Sequence, residues 1–178
     1  MDLKCFARWV VAMIDFRQLI VKLVRGDRRC LPTERRTARK IIDTHQETDY
    51  DRWRDIDRTI GTWNPTRAER IAAIIPGGVS VLDFGAGTMV LQRYLKTNCV
   101  YTPSDLYDRG NGCIVVNLNR YEFPDGYYDW ITIIGLLEYM KDPRWVVSRA
   151  ARAASRVVVP TTRSRAFPMR IYGAIPVG

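Results

Sequence analysis

The stretch VSVLDFGAGTMVLQRYL, Val79 to Leu95, passes from a dense apolar run through two glycines into a helical pattern. Pro76, Gly77 and Gly78 punctuate it upstream, so Val79 to Phe84 reads as a short buried strand. Gly85 and Gly87 permit positive φ and carry no Cβ, which lets main chain at the bend approach a ligand closely. Val90 to Lys96 reads as a helix, and amides at its start would face whatever the bend holds. A glycine pair after a strand does not by itself identify a ligand site, since tight turns in structural proteins use the same residues.

The same alternation extends in both directions. In TWNPTRAERIAAIIPGG, Asn64 suits a helix cap, Pro65 suits the first helical position, and Pro76 with Gly77 and Gly78 ends the helix. Downstream, Cys99 to Pro103, Cys113 to Val116, Trp130 to Ile134 and Val157 to Val159 read as further strands. Asp142 and Pro143 open a helix that carries Trp145, Val146, Ala150 and Ala153. Short continuous apolar strands separated by helices or loops predict an α/β fold, with a mostly parallel, doubly wound sheet covered on both faces. Ligands of such sheets bind beyond the carboxyl ends of the strands.

Two carboxylates stand near that place. Asp83 lies two residues before the first glycine, where it would repel a pyrophosphate and suit a cationic or amino-bearing ligand. The dinucleotide fingerprint also requires a third glycine where this chain has Val90. Asp105, at the end of the second strand in YTPSDLY, can accept both hydroxyl protons of a ribose. The structural alternatives are an Asp83 that anchors the turn amides and an Asp105 that caps a loop.

Four blocks in order then resemble the class I S-adenosylmethionine-dependent methyltransferases, over roughly Trp63 to Pro160. VLDFGAGTM is similar to that family's D/E-x-G-x-G-x-G motif, and PSDL to its second-strand acid. NLNRYEFPDGYYDWITIIGLLEYMKDP is similar to the later blocks, an acid or amide before F-P-D-G-x-x-D, a strand, and an L-E-H/Y-L-x-D-P segment. The resemblance implies a Rossmann-like core at 61–178 and S-adenosylmethionine as cofactor. It implies that Gly85, Ala86 and Gly87 pass close to the methionine part, with Asp83 assisting. Asp105 would bind the ribose hydroxyls, Leu106 would pack on the adenine, and Asn117 with Leu118 would read the adenine edge. Gly135 and Leu136 would close the site beside the sulfonium. Glu138, just beyond the fourth strand, is the candidate catalytic base for an acceptor hydroxyl, with a helix-start carboxylate as its structural alternative. Tyr139 is a further candidate there, and Tyr50, Trp53 and Trp63 either line an acceptor pocket or pack in the core.

This chain departs from the pattern at Met89, which stands at the third glycine, and at Asn117, which stands for the usual aspartate. Only 18 residues follow Pro160, so the usual C-terminal strand hairpin is expected to be missing, with RAFPMRIYGAIPVG supplying at most one short strand.

The chain has 178 residues, 47% hydrophobic and 26% charged, enough for one domain with a real core. Its 28 basic residues against 19 acids leave a net charge of +9, dense at Arg25 to Lys40 and Arg144 to Arg170, which favours anionic partners without choosing among them. Cys5, Cys30, Cys99 and Cys113 form no CxxC pair and His45 is the single histidine, so no metal site, disulfide scaffold or histidine-based triad is expected. Reduced thiols fit a cytoplasmic protein.

Residues 1–60 read as an N-terminal helical arm: an amphipathic helix followed by a basic linker or lid. Leu3, Phe6, Val10, Met13, Ile20 and Val24 recur at helical spacing, while Lys4, Arg8, Asp15, Arg17 and Lys22 interrupt the segment too often for a membrane span. Packing on the domain or on a second copy as a homodimer arm, and peripheral contact with an anionic membrane, are the two uses of such a helix. RGDRRCLPTERRTARK reads as linker or exposed helical turn, and residues 41–60 as a loop and short helix able to cover a ligand.

The sequence thus leads to a methyltransferase acting on a small-molecule or saccharide-like acceptor. The alternatives are a methyltransferase-like binding or structural protein without turnover and, lower, an RNA methyltransferase, since no nucleic-acid-binding module accompanies the core.

Overall fold

The computed structural model describes residues 33–45, 47–56, 65–160 and 169–173. The expected amphipathic helix of residues 1–24, the Asn64 cap and Trp63 lie outside the described residues. Four α-helices are described: α1 (Thr33–His45), α2 (Tyr50–Arg54), α3 (Pro65–Ile74) and α4 (Pro143–Ala153). Six strands, β1 (Ser80–Phe84), β2 (Val100–Asp105), β3 (Ile114–Val115), β4 (Tyr128–Ile133), β5 (Ala154–Pro160) and β6 (Met169–Gly173), form one sheet in the order β3-β2-β1-β4-β5-β6. The first five are parallel and β6 runs antiparallel to β5. From β1 the chain moves outward to β2 and β3, then returns to the other side of β1 as β4. The order therefore reverses between β1 and β4, which sets a crevice at their carboxyl ends.

Side-chain alternation along β1 divides the core. Leu82 and Phe84, with Ile131, Ile133, Val157 and Val159, face the Val146, Val147, Ala150 and Ala153 side of α4 and Ile42 of α1. Val81, with Trp130 and Val158, faces Ala68, Ile71, Ala72 and Ile75 in and just beyond α3. Burying a side chain the size of Phe84, 1% exposed, contributes about 1.5–3 kcal/mol. Helix α4 starts where the sequence indicates: the Asp142 carboxylate accepts from the Trp145 amide at 3.0 Å and Pro143 takes the first position. Pro103 is tolerated inside β2 because Val100 donates to the Val79 carbonyl just before β1, so residue 103 turns its missing N–H away from β1. Strand β3 pairs only from Ser104 onward, and that position needs no donor.

One expectation is corrected. The helix expected over Val90 to Lys96 is instead a single 3-10 turn, Leu91–Arg93. Met89 enters it with φ +55°, outside helical backbone, and one turn suffices to bury Leu91, its one buried residue. No described α-helix joins β1 to β2 or β2 to β3, so helical cover of both faces is concentrated on the β1-β4-β5 half. The segment expected to be linker or exposed helical turn at 25–40 contains the start of α1, a 13-residue helix that anchors through Ile42. At the other end, one antiparallel strand, Met169 to Gly173, lies beside β5, the single short strand expected from RAFPMRIYGAIPVG.

Candidate active site

Asp83 shares the α3 face of β1 and is 3% exposed. Register explains its partners: Thr132 lies directly opposite on β4, and its hydroxyl donates to Oδ1 at 2.6 Å, while the Tyr101 hydroxyl donates to Oδ2 at 2.8 Å from β2. The turn amides bond elsewhere. Burial outweighs these two bonds and, with the like charge of Asp105, pushes the carboxyl up to about 6. The same proximity pushes the Tyr101 hydroxyl strongly upward, first through burial and then through the Asp83 charge.

The bend itself is shaped by the neighbouring strand. The amides of Gly85 and Ala86 both donate to the Ser104 carbonyl, at 2.8 and 3.1 Å, and Gly85 and Gly87 adopt φ of +71° and +54°. A Cβ on Gly85 would stand 3.4 Å from the Leu136 side chain, so the glycine admits both the backbone turn and Leu136. Asp105, 8% exposed, turns toward the bend: its Oδ2 accepts from the Gly87 amide at 2.9 Å. Its Oδ1 accepts from the Leu106 amide at 2.7 Å, the Tyr107 amide at 3.4 Å and the Arg109 guanidinium at 3.4 Å. Beside this junction an open polar hollow of about 210 Å³ is lined by Gly87, Thr88, Gln92, Arg93, Arg109 and Asn111, among others.

Asn117 is buried and committed. Its Oδ1 accepts from the Thr48 hydroxyl at 3.0 Å and the Asn119 amide at 2.9 Å, and its Nδ2 donates to the Tyr50 hydroxyl at 2.7 Å. Leu118 is buried in the α4-side core, and Leu106 is half-buried at the mouth. Gly135, φ +67°, follows β4, and a Cβ there would lie 3.5 Å from an Arg67 guanidinium nitrogen. Leu136 packs on the core, and Glu138 and Tyr139 sit in the 3-10 turn Leu137–Tyr139, with Trp53 edge-on to Tyr139 at 4.7 Å and the Arg52 guanidinium over both rings.

The structure therefore brings Asp83, Gly85, Ala86, Gly87 and Asp105 together at one end of the sheet, with Gly135, Leu136 and Glu138 on the neighbouring β4 loop. Sequence reasoning missed Tyr101 and Thr132, which hold Asp83, and Arg109, which pairs with Asp105. Strand register was the signal for Thr132; Arg109, four residues past Asp105, lies in a loop where such spacing carries no meaning. Among the described residues Asp105 Oδ2 takes a single donor, so a lone pair remains for a sugar hydroxyl, and Arg109 Nε is buried without a partner there. These groups fit a ribose diol.

A family model described as a methyltransferase domain matches residues 46–167. No curated protein matches the chain. Among solved structures, a plantazolicin methyltransferase in complex with a desmethyl plantazolicin analogue and S-adenosylhomocysteine is similar at a TM-score of 0.52 and 15% identity, over 82% of this chain and 61% of that one. The magnesium protoporphyrin IX methyltransferase from Synechocystis PCC 6803 with bound S-adenosylmethionine gives 0.46 and 18%, over 81% of each chain. An N-methyltransferase from Bradyrhizobium japonicum WM9 in complex with S-adenosylhomocysteine gives 0.45 and 14%, over 69% of this chain and 72% of that one. At these identities the structural likeness speaks to the fold, whereas the family match takes in the glycine turn, both acids and the β4 loop. The chain belongs to the methyltransferase-domain family, the class I S-adenosylmethionine-dependent type that its ordered blocks resemble.

Proposed function

We propose that this chain binds S-adenosylmethionine across the carboxyl ends of β1 and β2 and methylates a small-molecule acceptor, saccharide-like compounds included. The observation that carries this reading is the 2.9 Å bond from the Gly87 amide to Asp105. It sets a diol-gripping carboxylate and a Cβ-free bend within the span of one nucleoside and its amino-acid tail. Asp105 holds the ribose, Leu106 packs on the adenine, and Asn117 with Leu118 reads its edge once the Thr48 bond to Asn117 is released. Gly85, Ala86 and Gly87 run beside the amino-acid end. The Asp83 carboxylate, largely ionised at neutral pH with its value near 6, favours a cationic ligand there.

When bound, this cofactor supplies a methyl group already activated by positive sulfur. The protein's part is to align an acceptor and exclude water. Gly135 and Leu136 close the reactive end, and Glu138 in the turn that follows them takes the proton from an acceptor hydroxyl. Calorimetry with S-adenosylhomocysteine, followed by methyl transfer from labelled cofactor to a panel of hydroxylated small molecules, tests the proposal. Binding with a methylated product supports it; no heat at high micromolar ligand would overturn it.

A further inference from the structure

Residues 47–54 form a strap across the carboxyl ends of β2 and β3, and its bonds fall on the groups that the proposed function assigns to adenosine. Thr48 donates to Asn117 Oδ1 and accepts from Asn119 Nδ2 at 2.9 Å, and Tyr50 accepts from Asn117 Nδ2. The Tyr107 hydroxyl donates to the Tyr50 carbonyl at 3.0 Å, with the two rings edge to face at 6.4 Å. Arg109, 10% exposed, donates to the carbonyls of Trp53 at 2.6 Å and Arg54 at 3.4 Å while it pairs with Asp105.

A hydrogen-bond count shows the conflict. An amide oxygen has two lone pairs, and on Asn117 both are filled, one by Thr48 and one by the Asn119 amide. An adenine amine needs one of them. Asp105 Oδ1 already receives three donors, one of them Arg109, so a diol seeking both carboxylate oxygens meets the guanidinium. Moving Arg109 off Asp105 loosens its hold on the Trp53 and Arg54 carbonyls. Moving Thr48 off Asn117 loosens the other end. We infer that the strap Glu47–Arg54 and the adenosine of the cofactor compete for Asn117 and Asp105, so that cofactor binding lifts the strap. This inference rests on the proposed cofactor site, and it makes Thr48 and Tyr50 positioning residues that act through Asn117.

Affinity for S-adenosylhomocysteine is read by calorimetry on the full chain and on a double variant, Thr48→Val with Tyr50→Phe, which keeps both shapes and removes three hydrogen bonds. If the strap lowers the binding-competent fraction, the variant binds about tenfold more tightly. Unchanged or weaker binding overturns the competition. Hydrogen exchange on the unmodified chain gives a second reading that needs no variant: amides of residues 47–56 exchange faster once S-adenosylhomocysteine is added. Slower exchange there, with binding intact, overturns the strap's release and leaves the cofactor site standing. Failure of every form to bind S-adenosylhomocysteine overturns both.

Discussion

Asp83→Asn separates the electrostatics of the bend from its packing. The carboxyl is held near 6 against an ordinary 3.8, because burial costs the charged form more than Thr132 and Tyr101 return. A folded-state value above the unfolded one means that the folded protein binds this proton more tightly. The stability it contributes is complete below about pH 4 and is lost as pH rises through about 6. A displacement of about two units, at about 1.36 kcal/mol each, gives about 3 kcal/mol. Asparagine has the same shape, keeps an oxygen for the Thr132 hydroxyl, and lets the Tyr101 oxygen accept from its amide. Urea unfolding of both chains from about pH 4 to about pH 8 should show near-equal stability at the acid end. The variant should gain up to about 3 kcal/mol at the alkaline end, worth about 6–12 °C in midpoint for a chain of this length. The difference between chains is the decisive quantity, since other carboxylates titrate in both. A pH-independent difference, or a variant less stable at the alkaline end, would refute the argument that burial dominates Asp83.

Asp105→Asn removes a charged acceptor from the Gly87 amide and from the proposed ribose grip, and should weaken S-adenosylhomocysteine by about 1.5–3 kcal/mol in calorimetry. Gly85→Ala places a Cβ at φ +71° and 3.4 Å from Leu136, so it should cost about 1–2 kcal/mol in urea unfolding; Leu136→Ala should not rescue it, because the backbone strain remains. Ser104 is fully buried and its hydroxyl has no partner among the described residues, so Ser104→Ala should stabilise by about 1 kcal/mol in the same assay. Phe84→Ala should cost about 3–5 kcal/mol, as removal of a fully buried ring from the α4-side core.

The sheet was legible because each strand is an apolar run bounded by punctuation that has a local cause: Pro76 to Gly78 before β1, Asp142 and Pro143 before α4. The placing of Asp83 and Asp105 at the ends of the first two strands followed from the apolar runs that precede them. What the sequence concealed was decided by tertiary contacts. Val90, Leu91 and Leu95 satisfy a helical pattern, yet the sheet buries Leu91 alone, and Met89 adopts a left-handed backbone that no propensity favours. Asn117 read as a free amide because its partners Thr48 and Tyr50 come from a polar segment nearly 70 residues earlier. The buried state of Asp83 was hidden for a similar reason, since Tyr101 and Thr132 reach it only once three strands are in register.

The one-turn 3-10 segment after the bend carries a consequence for ligand choice. A full α-helix beginning there would focus about half a positive elementary charge on the crevice, the field that holds diphosphates in many sheets of this architecture. Three residues align too few peptide dipoles for that, so the local potential is set by side chains, the Asp83 and Asp105 carboxylates and the Arg93 and Arg109 guanidinium groups beside them. A phosphate at this mouth would have to be held by side-chain cations in place of a helix terminus, beside two carboxylates that repel it.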